Sequence, residues 1–427
     1  MLDRVLLDLT PLRRDREYRW LWIGQLVSNT GRQVTLIALP FQLYLLTRSP
    51  LAIGALSAVT LVGLLVFALP GGSLADAYDR RRLLLVTQLG LAATSLSLAA
   101  LALLGRPPLM LIYLVAFLAA VVSTVDGPSR RAAVARLVPP DRLPAALVLD
   151  QASGQAATVV GPAVGGILIA STGVPAAYVL DAATFAAALA AVWVMRPLPP
   201  EGGAARPGLS SILEGLSFVR RVPVILASFV VDLDAMIFGM PMALFPILAV
   251  TTFHGGATVL GLLTSAPAVG ALIGALTTGW VSRVRRQGRA VLAAVALWGL
   301  AITGFGLFVR TLPLALCFLV VAGGADVISA VFRNTILQLA TPDQLRGRLS
   351  AIHGLVVQGG PRLGDVEATA VAAVAGAPFS ALSGGLLCLA GLAVVAWRFP
   401  QLDGYDARSS AREAPSGAAA PAGGIDD

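Results

Sequence analysis

The sequence predicts an all-α membrane protein: twelve transmembrane helices in two pseudo-symmetric six-helix bundles. Three observations predict it. The composition is 57% hydrophobic and only 13% charged, with a mean hydropathy of +0.82, whereas a soluble domain carries about 25% charge. The chain also divides into twelve apolar segments, each near or above the roughly 20 residues that cross hydrocarbon. Finally, all 31 basic residues are arginine, and their placement alternates. Arg48, Arg106 and Arg310 fall in or at the edge of one set of gaps, Arg32 and Arg362 fall well inside segments, and the remaining 26 fall before the first segment, after the last, or in or at the edges of the alternate gaps. Short loops rich in basic residues stay cytoplasmic, so both termini are expected on the cytoplasmic face of a plasma (inner) membrane.

Taken in order, residues 1–19 form a mixed-charge cytoplasmic segment without a signal-peptide core, and the first helix is expected to act as the uncleaved insertion signal. The first bundle, residues 20–195, holds spans near 20–47, 51–75, 83–104, 109–131, 143–171 and 174–195. Outer connections are tight, as at Arg48-Ser49-Pro50 and Arg106-Pro107-Pro108. Residues 196–222, with Pro197, Pro199, Pro200, Gly202 and Gly203, read as a cytoplasmic linker. The second bundle, residues 223–399, holds spans near 223–250, 256–281, 290–310, 312–334, 346–375 and 378–399. Residues 400–427, rich in Ala, Gly, Ser and Asp, read as a disordered cytoplasmic tail.

The halves repeat one another. Arg131 precedes Pro140-Asp141 by nine and ten residues, flanked by Leu137 and Leu143. Arg333 precedes Pro342-Asp343 at the same spacing, flanked by Leu339 and Leu345. Likewise, Gly161-Pro162-Ala163-Val164-Gly165-Gly166 matches Gly360-Pro361-Arg362-Leu363-Gly364-Asp365. Parallel six-helix repeats are a secondary-transporter architecture, with the binding site near the bilayer midplane between the halves.

Other classes are disfavoured. The +8 net charge follows one membrane face, not a groove-binding element, so no nucleic-acid partner is expected. The chain contains no lysine and no phosphate-binding Gly-Lys-Ser/Thr loop, and it lacks His-Glu-x-x-His, Gly-x-Ser-x-Gly and Cys-x-x-Cys. No enzyme activity, cofactor or metal is therefore expected. Cys317 and Cys388 read as buried apolar residues.

After the second segment the chain reads Gly72-Ser73-Leu74-Ala75-Asp76-Ala77-Tyr78-Asp79-Arg80-Arg81-Arg82. Gly72 permits close helix approach, and Asp76 stands at a helix end beside a run of cations. These charges either latch neighbouring helices or only enforce topology. The segment resembles the loop signature of the major facilitator superfamily, to which Gly72, Asp76, Arg80 and Arg81 correspond, while Asp79 replaces the usual Gly and Ala77 the usual basic residue. The equivalent loop, Thr278 to Arg289, keeps its arginines but has Ser282 where the acid falls. Gly161-Pro162-x-x-Gly165-Gly166 resembles a motif of exporters in that superfamily, although simple helix packing explains it equally well. Pro128-Ser129-Arg130-Arg131-Ala132 and Gln338 through Arg348 look like the branch containing enterobactin and macrolide exporters. The resemblance implies the major facilitator fold and proton-coupled export of a siderophore or amphipathic drug-like molecule.

Ionisable groups inside spans are costly and default to functional hypotheses. Arg32 lies about 18 Å along the first helix at 1.5 Å per residue, and the repeat offset equates it with Asp234. Arg32 is therefore expected to face a central cavity and pair with Asp232 or Asp234, one of which would exchange protons; a static ion pair is the alternative. Asp326 is a second candidate for protonation. Asp126, Arg130 and Arg131 are expected to form a gate, with Asp76 as a further partner. Arg362, Asp365 and Glu367 form a local cluster. Asp150 and Asp181 read as close enough to the two faces to be wetted. Gln25, Asn29, Gln33 and Gln42 line a cavity or pack on neighbours, and His254 and His353 carry little weight. The expected partners are a small-molecule substrate, protons and the bilayer, with a monomeric state. The competing readings are an importer or lipid translocator of the same fold, or a non-transporting sensor or scaffold.

Overall fold

The computed structural model describes residues 8–199 and 209–406. The side chains of Asp76, residues 209–212, Ser282, Asp343 and Gln344 lie outside that description. Twelve long helical segments follow one another: α1 (Arg16–Thr47), α2 (Pro50–Ala77), α3 (Arg80–Leu103), α4 (Leu109–Leu137), α5 (Leu143–Thr172), α6 (Val174–Trp193), α7 (Pro223–Thr251), α8 (Gly256–Leu276), α9 (Gln287–Leu307), α10 (Leu312–Leu339), α11 (Asp343–Ala375) and α12 (Ala377–Arg398). Among the described residues there is no strand, only an isolated backbone bridge between Arg286 and Asp406.

Ten of these segments have the length and hydropathy of a membrane span. The other two, α1 and α11, are the longest, at 32 and 33 residues. They fall short because they carry the polar and charged residues of the protein's centre, Arg32 and Gln33 on one and Arg362 and Asp365 on the other. Proline at the first turn starts many of the helices, where its missing N–H costs nothing. Gly173 and Gly376 take φ of +86° and +88° at the equivalent α5–α6 and α11–α12 junctions, a backbone that only glycine adopts freely.

Helix α7 is broken. Its regular part ends at Phe238, a 3₁₀ turn spans Pro241–Leu244, and helix resumes over Phe245–Thr251. Pro241 cannot donate to the ladder. Within residues 196–222, Leu209–Arg221 is helical. This helix rests on α11, with Gly215 against Ile352 and Glu214 bonded to Arg348 at 2.7 Å. The N-terminal segment is tied down by Asp15 to Arg142 at 2.8 Å and by Glu17 to Arg196 at 3.5 Å. The expected disorder of the tail concerns residues that, from 407 onward, lie outside the description, whereas Pro400–Asp403 is a short helix.

Helices α1–α6 pack mainly on one another, as do α7–α12. The halves meet through α5 with α8 and α2 with α11. These contacts lie at midspan and at the end away from the arginine-rich loops. A Cβ on Gly166 would strike Ala257 O and Gly261, and Gly54 similarly sits on Thr369. Such backbone approach is how helices associate in lipid, where apolar surface gives little drive. Toward the arginine-rich end, Gly72, Gly154, Gly347 and Gly354 have open space where a Cβ would stand.

The Gly166–Gly261 crossing should therefore be intolerant of size. A Cβ on Gly261 meets Pro162 O at 2.9 Å and Gly166 Cα at 3.1 Å. Gly261→Val is expected to destabilise by about 1–3 kcal/mol through overpacking, read as a lowered melting temperature of the purified protein. Gly279→Val, with open space at that position, should leave it near wild type.

Candidate functional site: a charged cavity between the halves

Between the halves lies a cavity of about 620 Å³. Its walls come from both: Arg32, Gln33, Ser123 and Asp181 on one side, Asp326, Arg362 and Asp365 on the other. Phe185, Trp298 and several aliphatic side chains make most of the remaining surface, and Met240, Met242 and Phe245 from the break in α7 cover the end away from the arginine-rich loops.

The first half settles its charges internally. Asp126 is 2% exposed and accepts hydrogen bonds from Thr87 at 2.8 Å and Gln88 at 2.7 Å, while its other oxygen pairs with Arg130 one turn along α4. Arg130 also reaches Asn29 on α1. Asp126 and Arg130 are thus together, as the four-residue spacing predicted. Arg131 is exposed, and among the described residues no ion pair joins it to them. Asp181 accepts from Thr35 at 2.7 Å and Ser95 at 2.8 Å and is buried, not wetted at a membrane face. Asp150 accepts from Tyr18 at 3.1 Å, and Gln42 accepts from Tyr178 at 2.7 Å.

The second half holds a separate cluster. Arg333 pairs with buried Asp232 at 2.8 Å and stands 3.8 Å from Asp326, whose side chain is 41% exposed and lines the cavity. His353 Nδ1 lies 4.0 Å from Asp232 and its ring meets Phe229 edge to face. His353, given little weight from sequence, is therefore part of this cluster; its distance from any Asp in the chain concealed it. Asp234 sits against Gly391 of α12, where any side chain would collide with its carboxyl, and beside Cys388.

The expected pairing of Arg32 with Asp232 or Asp234 is not made. Arg32 donates to Ser123 of its own half at 3.0 Å, and Asp126 and Asp181 are the acids within its electrostatic reach. Equivalent positions in two repeats occupy equivalent places in their own bundles, and nothing requires those places to touch. Between the halves the polar bonds are instead Ser57 on α2 donating to Asp365 on α11, at 2.8 Å, and the Ser265 hydroxyl on α8 donating to Val159 O on α5, at 3.2 Å. Glu367, on the same helix, is not among the residues lining the cavity.

The loop signature also settles within its own half. Arg80 donates to Pro199 O at 2.8 Å, and Arg81 donates to Trp193 O at 2.6 Å and lies over the Trp193 ring. Arg81 thus fastens the end of α6 and Arg80 the segment that follows it. Asp79 caps α3 by accepting from the Arg82 N–H at 3.0 Å, which gives an acid a use where the pattern has Gly. Gly72 approaches nothing within 4 Å in this arrangement. The second half fastens its corresponding loop to the segment after α12 by Arg289 and Asp403, at 2.9 Å.

The Gly-Pro motifs seat helices. Gly161 and Gly165 pack against α1 at Gln33 and Val34, Gly166 meets α8, and Gly360 packs on Met236 of α7. Pro162 and Pro361 both line the cavity.

A family model described as a transmembrane secretion effector matches residues 7–420. The chain belongs to that family. It is 29% identical over 349 residues to the enterobactin exporter EntS of Citrobacter koseri, covering 81% of this chain and 83% of that one. By structure it resembles a POT family transporter solved with 5-aminolevulinic acid (TM-score 0.73, 11% identity, 91% of this chain and 97% of that one). It also resembles a bacterial homologue of the lysosomal transporter Spinster in an inward-facing conformation (TM-score 0.71, 12% identity, 92% and 99%). The fold is therefore that of the major facilitator superfamily, and the chain is a multi-pass membrane transporter.

The Asp232–Arg333 pair predicts a specific pattern of stability. Arg333→Ala leaves Asp232 buried without its cation and should cost about 3–5 kcal/mol. The double variant Asp232→Asn with Arg333→Gln should recover most of that loss. A double-mutant cycle on melting temperature measures the coupling, and additive losses would show that the two do not act as a pair.

Proposed function

We propose that the chain is a proton-coupled exporter of a siderophore or another amphipathic small molecule, working by alternating access in the plasma membrane with both termini cytoplasmic. The observation that carries this reading is the cavity itself. It lies between two repeated halves, takes ionisable groups from each, is closed at one end by glycine-mediated backbone contact, and faces a parted, arginine-rich end. Arginine-rich loops mark the cytoplasmic face, so the open end is the cytoplasmic one. That relatives are named as enterobactin exporters supports this substrate class and direction.

Asp326 is the acid proposed to exchange the proton. It faces the cavity, and Arg333 stands between it and Asp232. A proton on Asp326 removes its claim on Arg333 and leaves that cation wholly to Asp232. The cluster then has two charge arrangements, only one of which depends on the cavity. Asp234 lies off the cavity wall and is not assigned this part.

The test is substrate-driven proton movement in proteoliposomes, with a panel of catecholate siderophores and lipophilic drugs. Wild type should release protons with at least one compound. Asp326→Asn should lower that proton flux by about tenfold or more, the range over which positioned proton-transfer groups act, while substrate counterflow persists. Full proton-coupled transport in Asp326→Asn would remove Asp326 from the mechanism.

A further inference from the structure

We infer that the cavity binds an anionic group of its substrate between Arg32 and Arg362, one guanidinium from each half. This rests on the transporter reading above and narrows its substrate to an amphipathic anion, a carboxylate or catecholate on an apolar body. Of the arginines well inside the membrane-crossing helices, Arg131 is exposed and four are wholly or partly buried: Arg32, Arg130, Arg333 and Arg362. Two are settled, Arg130 on Asp126 and Arg333 on Asp232. The other two line the cavity, and among the described residues neither has a carboxylate within 4.0 Å. The hydrogen bonds they make are Arg32 to the Ser123 hydroxyl at 3.0 Å and Arg362 to the Gln358 carbonyl of its own helix. A guanidinium carries five donors, so both side chains keep donor capacity for a ligand in the cavity they line.

The nearby acids do not complete these two. Asp181 is held by Thr35 and Ser95, Asp365 by Ser57, and Asp326 stands beside Arg333. Asp126, the acid acting most strongly on Arg32, has both oxygens engaged by Thr87, Gln88 and Arg130. Arg32 and Arg362 are within electrostatic reach of each other, so two like charges from opposite halves face one space. An unpaired cation in the membrane interior is costly and calls for a counter-ion. The guanidinium fork matches carboxylate and catecholate oxygens in a way an ammonium does not. Phe185, Trp298 and the aliphatic wall take the apolar body.

The placement also has a consequence for the transport cycle. An anion between the two arginines replaces repulsion across the halves with attraction to a shared centre. Such a ligand favours the arrangement in which the halves draw together around it, because it binds that state better.

The experiment uses the full chain in neutral-lipid nanodiscs, with anthracene-9-carboxylate as the probe and its neutral amide as the control, read by fluorescence titration against empty nanodiscs. Wild type should bind the anion about tenfold or more tighter than the amide, and Arg32→Gln or Arg362→Gln should each bring the two close to parity, while the Lys variants keep part of the preference. Amide binding in the Gln variants reports that the cavity is intact. Equal binding of anion and amide by wild type, no binding of the anion, or a preference that survives both Gln substitutions would overturn the inference. Binding decides the clamp and proteoliposome flux decides the transporter reading, so export of anionic compounds by both Gln variants at wild-type rates would leave the transporter standing and remove the clamp.

Discussion

A charge inside hydrocarbon must be set against another group or against water, and that requirement arranges the centre of this protein. Within the first half Asp126 takes Arg130, and within the second Asp232 takes Arg333. Each pair is nearly dry, so each fixes the helices that carry it: α4 against α3 through Thr87 and Gln88, and α7 against α10. Charges not settled inside a half collect at the surface where the halves face one another. The two helices that bring most of them, α1 and α11, are the two that fail a hydropathy criterion for spanning. They can cross only because their polar faces turn to a cavity and not to lipid.

The second organising contact is backbone against backbone. Glycines at the α5–α8 crossing remove the side chains that would hold the halves apart at one end, while Gly72, Gly154, Gly347 and Gly354, toward the arginine-rich end, have open space where a Cβ would stand. The hydroxyl–carboxylate bond from Ser57 to Asp365 adds one directional link at the closed end. Because this link and the packing are local to one end, the halves are free to part at the other. The loop arginines do not bridge that gap here; Arg81 is engaged by the end of α6 and Arg80 by Pro199 in the segment that follows it.

Much of the architecture was legible in the sequence because it depends on patterns that run the length of the chain: alternating arginine-rich gaps, twelve apolar segments, and a repeat anchored by Arg131 and Arg333. The pairing of Asp126 with Arg130 was legible for a different reason, since four residues on one helix fix the geometry locally. What failed was contact between helices. The repeat offset equates Arg32 with Asp234 as positions, but position in a repeat carries no information on distance across the interface, and Arg32 turns to Ser123 while Asp234 turns to α12. His353 was passed over because its partners, Asp232 and Arg333, come from other helices. The helix at Leu209–Arg221 was hidden among the prolines and glycines that precede it. The break in α7 did have a signal, Gly239-Met240-Pro241, which reads as an interruption once length alone is not the criterion.

The account stands on two halves that move against each other about the cavity, and inter-helix distance is its most direct measure. Spin labels would be placed in a cysteine-free background at Asp141 and Gln338 for the arginine-rich end, and at Leu51 and Val374 for the other, all four being exposed. Pulsed dipolar spectroscopy with and without a transported compound, at neutral and acidic pH, should show a second population in which the first distance shortens as the second lengthens. A single unchanged distance for both pairs under every condition would contradict alternating access in this protein.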